Sequence, residues 1–127
     1  MLLCKRFNKK YIVQTKKYFF KKNKMKNYQN DFDYFCVGSD QIWNPGVVQN
    51  NDFFFLNFAP PEKTFSFAAS MGTTYIPEQY KNTYMTGLSK IGFLSVREND
   101  VKEFIQKLIN RNSTVLLDPT LLIDKSE

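Results

Sequence analysis

The sequence predicts an α/β fold, a parallel β-sheet with flanking helices built from residues 31–127. Three observations predict it. Apolar runs of strand length recur and stop at turn-forming residues, as at Gly38 and at Asp118-Pro119. One strongly amphipathic helix pattern lies between the third and fourth of these runs. The links are short, and strand, helix, strand in that order is a βαβ unit, the building block of parallel sheets.

The elements follow in order. Residues 34–37 form an apolar run closed by Gly38, as suits a buried strand. Residues 65–69, after the Pro60-Pro61 break, are the second strand. Pro77 stands where the first turn of a helix tolerates it, and Tyr80, Tyr84 and Leu88 give that helix a core-facing stripe, with Gly87 weakening it near its end. Residues 91–96 are the third strand. Val101, Phe104, Ile105, Leu108 and Ile109 then form an unbroken apolar stripe at helical spacing. Glu98, Asp100 and Glu103 at its start and Lys107 and Arg111 at its end match the helix dipole. Residues 114–117 are the fourth strand.

Composition narrows the function classes. The 127 residues suit one domain and contain no apolar run near the roughly 20 residues a membrane span needs. The N-terminus is apolar first and basic second, the reverse of a secretory signal. Cys4 and Cys36 have no CxxC spacing and read as two thiols in a reducing compartment, with one disulfide as the alternative. The chain has no histidine, which excludes Ser-His and Cys-His couples and any His-containing zinc site. No metal is expected.

The net charge of +6 is unevenly spread: residues 1–30 hold ten of the 18 Lys and Arg residues and no acid. This basic leader interleaves Lys pairs with Tyr11, Ile12, Tyr18, Phe19 and Phe20. Two readings stand: a helix or linker whose aromatics pack on the following domain, or contact with an anionic membrane surface or nucleic acid. No RNA-binding motif accompanies the charge, so no specific nucleic acid is expected.

Ligands of open α/β sheets collect outside the carboxyl ends of the strands. Gly38-Ser39-Asp40-Gln41, Ser70-Met71-Gly72, Arg97-Glu98 and Asp118-Pro119-Thr120 occupy those positions. Gly38 permits a tight turn, and Ser39 or Asp40 either caps a helix turn or meets a ligand; Asp40 suits a sugar hydroxyl better than a phosphate. Trp43 either stacks on a sugar ring or anchors the core before the Asn44-Pro45-Gly46 turn. Ser70 and Gly72 are a weak phosphate-binding signal. Arg97, between a strand end and a helix start, grips an anion or pairs with Glu98 or another acid. Asp118-Pro119-Thr120 reads first as a turn and second as an acceptor-site carboxylate.

Taken together and in order, these stretches resemble one family. Residues 35–45, FCVGSDQIWNP, look like the tryptophan block of polysaccharide pyruvyl transferases. Residues 54–58, 67–72, 76–77, 95–98 and 117–122 are similar to the segments that follow it. The resemblance implies transfer of pyruvate from phosphoenolpyruvate to a sugar of a cell-surface glycan, the acceptor free or lipid-linked, with no cofactor besides the donor substrate. It implies a Rossmann-like sheet forming one half of a GT-B-like two-domain fold, working in the cytoplasm; peripheral membrane contact stays an alternative that rests on the charge of the leader alone. Arg97 matches the family's arginine in this block and becomes the anion contact. Gly38, Ser39, Asp40, Gln41, Trp43, Ser70, Gly72, Glu98 and Asp118 complete the substrate-binding candidates, and no catalytic residue is assigned.

The family's first strand and its turn have no counterpart before Asp31, and its C-terminal half, with its histidine, has none after Ile123. The expectation is therefore a partial N-terminal domain, 31–127, preceded by the leader, 1–30. It would be inactive without the C-terminal domain and would carry an unpaired sheet edge. Two other readings are a sugar-nucleotide glycosyltransferase half and a binding module working through the leader.

Overall fold

The structure, a computed structural model, describes Arg6, residues 9–13 and residues 25–122. A 3-10 turn (Lys26–Tyr28) leads to β1 (Phe35–Gly38), the short helix α1 (Pro45–Val48) and two further 3-10 turns, Asp52–Phe55 and Pro61–Lys63. Then come β2 (Thr64–Phe67), α2 (Glu78–Lys90), β3 (Ser95–Val96), α3 (Asn99–Ile109), β4 (Thr114–Val115) and a last 3-10 turn, Pro119–Leu122. Among the described residues, no helix is long and apolar enough to cross a membrane. Most of the leader lies outside the described residues, as does Cys4; Cys36 is free and exposed. From Met25 the chain is tied to the domain. Met25 packs against the core, the Gln29 side chain donates to the Phe58 carbonyl, and Lys63 Nζ donates to the carbonyls of Gln29 and Phe32, both at 3.1 Å.

All strand pairings are parallel. β1 pairs with β2 and β3 with β4, and single bridges, Phe65 to Phe93 and Ala69 to Val96, join the two ladders in the order β1-β2-β3-β4. The third strand is shorter than the sequence predicts because this seam is bulged. Three residues lie between the bridges on the side of the second strand against two on the side of the third, and Ala68 takes a φ of 45° to absorb the extra one. Two buried serines repair the interruption. Ser66 Oγ donates to the Ser95 carbonyl at 2.8 Å and accepts from the Ser95 amide at 2.8 Å. Ser95 Oγ donates to the Ser66 carbonyl and accepts from the Ala68 amide. Hydroxyls here stand in for ladder groups that would otherwise be buried without partners.

Strands added in one direction by right-handed crossovers place their helices on one face. The burial pattern agrees. Val37, Leu94 and Val96 join Tyr84, Leu88, Val101 and Ile105 in one core. The opposite face shows Cys36, half-exposed Phe93 and partly buried Phe65 and Phe67. Helices thus flank a parallel sheet as the sequence predicts, and among the described residues they cover one face.

α2 buries its predicted stripe, with Tyr84 and Leu88 fully enclosed and Tyr80 partly so. Tyr84 donates its hydroxyl to the Trp43 carbonyl at 2.7 Å, and burial pushes its ionisation upward, keeping it a donor. Gly87 has a packing role: a Cβ there would lie 2.3 Å from Phe55 Cγ, so the gap holds that ring. α3 ends at Asn110 in the left-handed conformation, φ 53°. Arg111 departs from expectation. It does not serve the end of its own helix; its guanidinium donates to the carbonyls of Leu88, Ser89, Ile91 and Gly92, at the end of α2.

Candidate functional site

Parallel strands bring their carboxyl ends to one edge, and backbone bonds knit the loops that leave it. The Ser70 amide donates to the carbonyls of Ser39 (3.1 Å) and Asp40 (3.2 Å), and the Trp43 amide donates back to the Ser70 carbonyl (3.1 Å). The Arg97 amide donates to the Ala69 carbonyl at 3.2 Å, which fixes where the Arg97 side chain begins. Gly38 makes the first exit feasible. Its φ is 136°, and a Cβ would sit 2.1 Å from the Phe67 carbonyl oxygen, so the two strands close at a distance only glycine permits.

The side chains converge on Arg97. Its Nη1 donates to Asp118 Oδ2 at 2.7 Å and its Nε to Glu98 Oε1 at 3.0 Å. Of the two readings weighed for Arg97, the geometry shows the ion pair: the guanidinium pairs with Glu98 and with a second acid, Asp118, 21 positions on. Two of its five N–H donors are used, and Nη2 has no hydrogen-bond acceptor among the described residues. Pairing with both acids favours the protonated guanidinium further. Glu98 Oε2 is buried with no hydrogen-bond partner among the described residues.

Asp118 is the most heavily bonded group of the cluster. Its Oδ1 accepts from the Thr120 amide (3.0 Å) and hydroxyl (2.7 Å), and its Oδ2 accepts from Arg97 and, at 3.4 Å, from Ser39 Oγ. The Thr120 donors first, and Arg97 after them, pull its pKa down to about 2. A depressed carboxylate pKa means the bonded, charged form persists through neutral pH and is lost only as pH falls through about 2.

The other candidates divide. Gly72, φ 65°, lies against the Gln41 side chain, and Gln41 Oε1 also accepts from Asn44 Nδ2 at 2.8 Å. Ser70 is fully buried and its Oγ accepts from the Gly72 amide at 3.2 Å, so it shapes the turn from within. Trp43 is a correction: it is 0% exposed, stacked against Phe55 with Nε1 donating to the Phe54 carbonyl, and offers a sugar no ring face. A second correction concerns capping. Asn44, rather than Ser39 or Asp40, caps the helix turn here, accepting from the Gly46 amide at 2.9 Å. Asp40 stands exposed at the edge. Thr120 was absent from the predicted set, although an Asp followed two residues later by a hydroxyl residue signals a local side-chain turn.

A cavity of about 500 Å³ lies elsewhere, lined by Tyr34, Pro61, Glu62, Thr64, Phe65, Gly92 and Phe93. It sits at the amino-terminal ends of the strands and includes no member of the Arg97 cluster. Its lining is largely aromatic, with Glu62 as its one charged residue and no cation.

A sequence model described as polysaccharide pyruvyl transferase matches residues 4–127, taking in the basic segment as well as the motif blocks. No curated protein and no solved structure matches the chain. A family match over nearly the whole length, together with the tryptophan block at 35–45, leads to one conclusion: the chain belongs to the polysaccharide pyruvyl transferase family.

Proposed function

We propose that this chain serves the transfer of the pyruvyl group of phosphoenolpyruvate to two hydroxyls of a glycan sugar, with Arg97 meeting the donor's phosphate or carboxylate. The family match carries this reading. The chemistry balances simply. A proton adds to the donor's methylene carbon, and two sugar hydroxyls in turn bond to the adjacent carbon. The bond from that carbon to the phosphate oxygen breaks; of the two hydroxyl protons released, one replaces the proton consumed and the other leaves with the phosphate. Such a reaction needs a fixed cation for the donor and an acid for the methylene carbon.

The Arg97 cluster suits the first need. Arg97 is anchored by backbone and by two carboxylates, and its Nη2 lacks an acceptor among the described residues. Asp118 does not suit the second, because a carboxyl group with a pKa of about 2 holds almost no proton at neutral pH. The chain also has no histidine. The carboxyl-edge cluster is thus a binding wall, and in this reading it faces the second half of a GT-B-like cleft. A cytoplasmic site of action, beside the acceptor's carrier, would supply the donor.

The test is a reaction assay on the full chain with phosphoenolpyruvate and a panel of glycan acceptors. Acceptor-dependent phosphate release with an acid-labile pyruvyl ketal on the product is expected. Glycosyl transfer from a nucleotide sugar with no consumption of phosphoenolpyruvate would sink the proposal.

A further inference from the structure

We propose that Asp118 is a positioning residue, held by Thr120 and Ser39, that sets the orientation in which Arg97 presents Nη2 to the donor. The inference rests on the donor reading of Arg97 above. A carboxylate has about four acceptor positions. At Asp118 four donors fill them: the Thr120 amide, the Thr120 hydroxyl, Arg97 Nη1 and Ser39 Oγ. No acceptor capacity is left for a sugar hydroxyl, so the acceptor-site role weighed from the sequence does not fit this geometry.

Its bonds run instead toward the arginine. Arginine has a long, rotamer-rich stem, and orienting it at the moment of binding costs affinity. Here the planar guanidinium is gripped at two separate nitrogens, Nε by Glu98 and Nη1 by Asp118, which sets both its plane and its rotation. Thr120 locks Asp118 from the turn that follows β4, and Ser39 reaches the same oxygen from the end of β1, 79 residues away in sequence. The arrangement joins the outer strands of the sheet through one carboxylate.

A contrary role has the opposite sign. If Asp118 merely competed with the donor for Arg97, removing its charge would tighten donor binding. Asp118→Asn separates the two, since it keeps the size and the oxygen that Thr120 holds. Two readouts on the full chain apply. In the unliganded protein, the Arg97 Nη1–H group, which donates to Asp118, should give a distinct, slowly exchanging nitrogen resonance, assigned by its loss in Arg97→Lys, with the side chain of exposed Arg6 as the reference. Asp118→Asn should move it to the position of Arg6, and Thr120→Val should shift it part of the way.

For phosphoenolpyruvate, the dissociation constant should rise about tenfold or more in Asp118→Asn, the equivalent of one charge-assisted hydrogen bond. An unchanged Arg97 resonance, or donor binding equal to or tighter than that of the unaltered chain, would overturn the role of Asp118. Failure of the unaltered chain to bind phosphoenolpyruvate would instead refute the donor reading and with it the proposal's functional half; the resonance would still decide whether Asp118 orients Arg97.

Discussion

Gly38→Ala is expected to destabilise the domain by about 4 kcal/mol or more, or to prevent folding outright. Two costs add at this position. A φ of 136° is foreign to residues with a side chain, and a new methyl group would stand 2.1 Å from the Phe67 carbonyl oxygen and 3.1 Å from its carbon. Neither obstacle can swing aside, since both atoms belong to the backbone of the paired strand, where Gly38 and Phe67 are in register. Relief requires β1 and β2 to part at the very end from which Ser39 reaches Asp118. Urea unfolding followed by tryptophan fluorescence measures the effect, because Trp43, the sole tryptophan, is fully buried five residues on. A midpoint equal to that of the unaltered chain would contradict the strand-end geometry.

Arg111→Ala should cost about 3 kcal/mol, a large loss for one partly buried side chain. The last carbonyls of a helix have no partners within it. At the end of α2, Arg111 Nη1 supplies Leu88 (2.9 Å), Ser89 (3.0 Å) and Ile91 (2.7 Å), and Nη2 supplies Gly92 (3.1 Å). Its charge also sits where the helix dipole favours a cation. Lysine offers a single compact head in place of the planar fork, so Arg111→Lys should recover less than half of the loss. Urea denaturation of the three proteins checks this; an alanine variant within about 0.5 kcal/mol of the unaltered chain would show the carbonyls to be served equally well by water.

The role of Arg111 illustrates what the sequence does not disclose. Its position at the end of the α3 stripe points to its own helix, yet its partners lie 19 to 23 residues upstream, at and just past the end of a neighbouring helix. The α3 stripe itself and the run closed by Gly38 were legible because both depend on local periodicity and local backbone sterics. Strand order was not, and so neither was the one-sided placement of the helices. The bulged seam leaves no mark in the sequence for a similar reason. Ser66 and Ser95 read as ordinary strand residues until pairing makes each hydroxyl the other's backbone partner.

The site shows the same division. Arg97, Glu98 and Asp118 were found as residues following strands, but that one guanidinium joins both acids depends on the sheet bringing β3 and β4 side by side. Trp43 marks the limit from the other side. Its block is the most recognisable stretch of the chain, yet its ring is enclosed between Phe55 and the backbone, so its place in the motif reflects packing that shapes the edge.

The proposed donor role of the carboxyl edge rests on Arg97, and its removal tests that role most directly. Titration calorimetry with phosphoenolpyruvate on the unaltered chain and on Arg97→Ala, at neutral pH and low ionic strength, should show binding to the first and at least about hundredfold weaker binding to the second, the loss of one cation with paired hydrogen bonds. Equal dissociation constants, in two proteins with the same unfolding midpoint, would place the donor elsewhere.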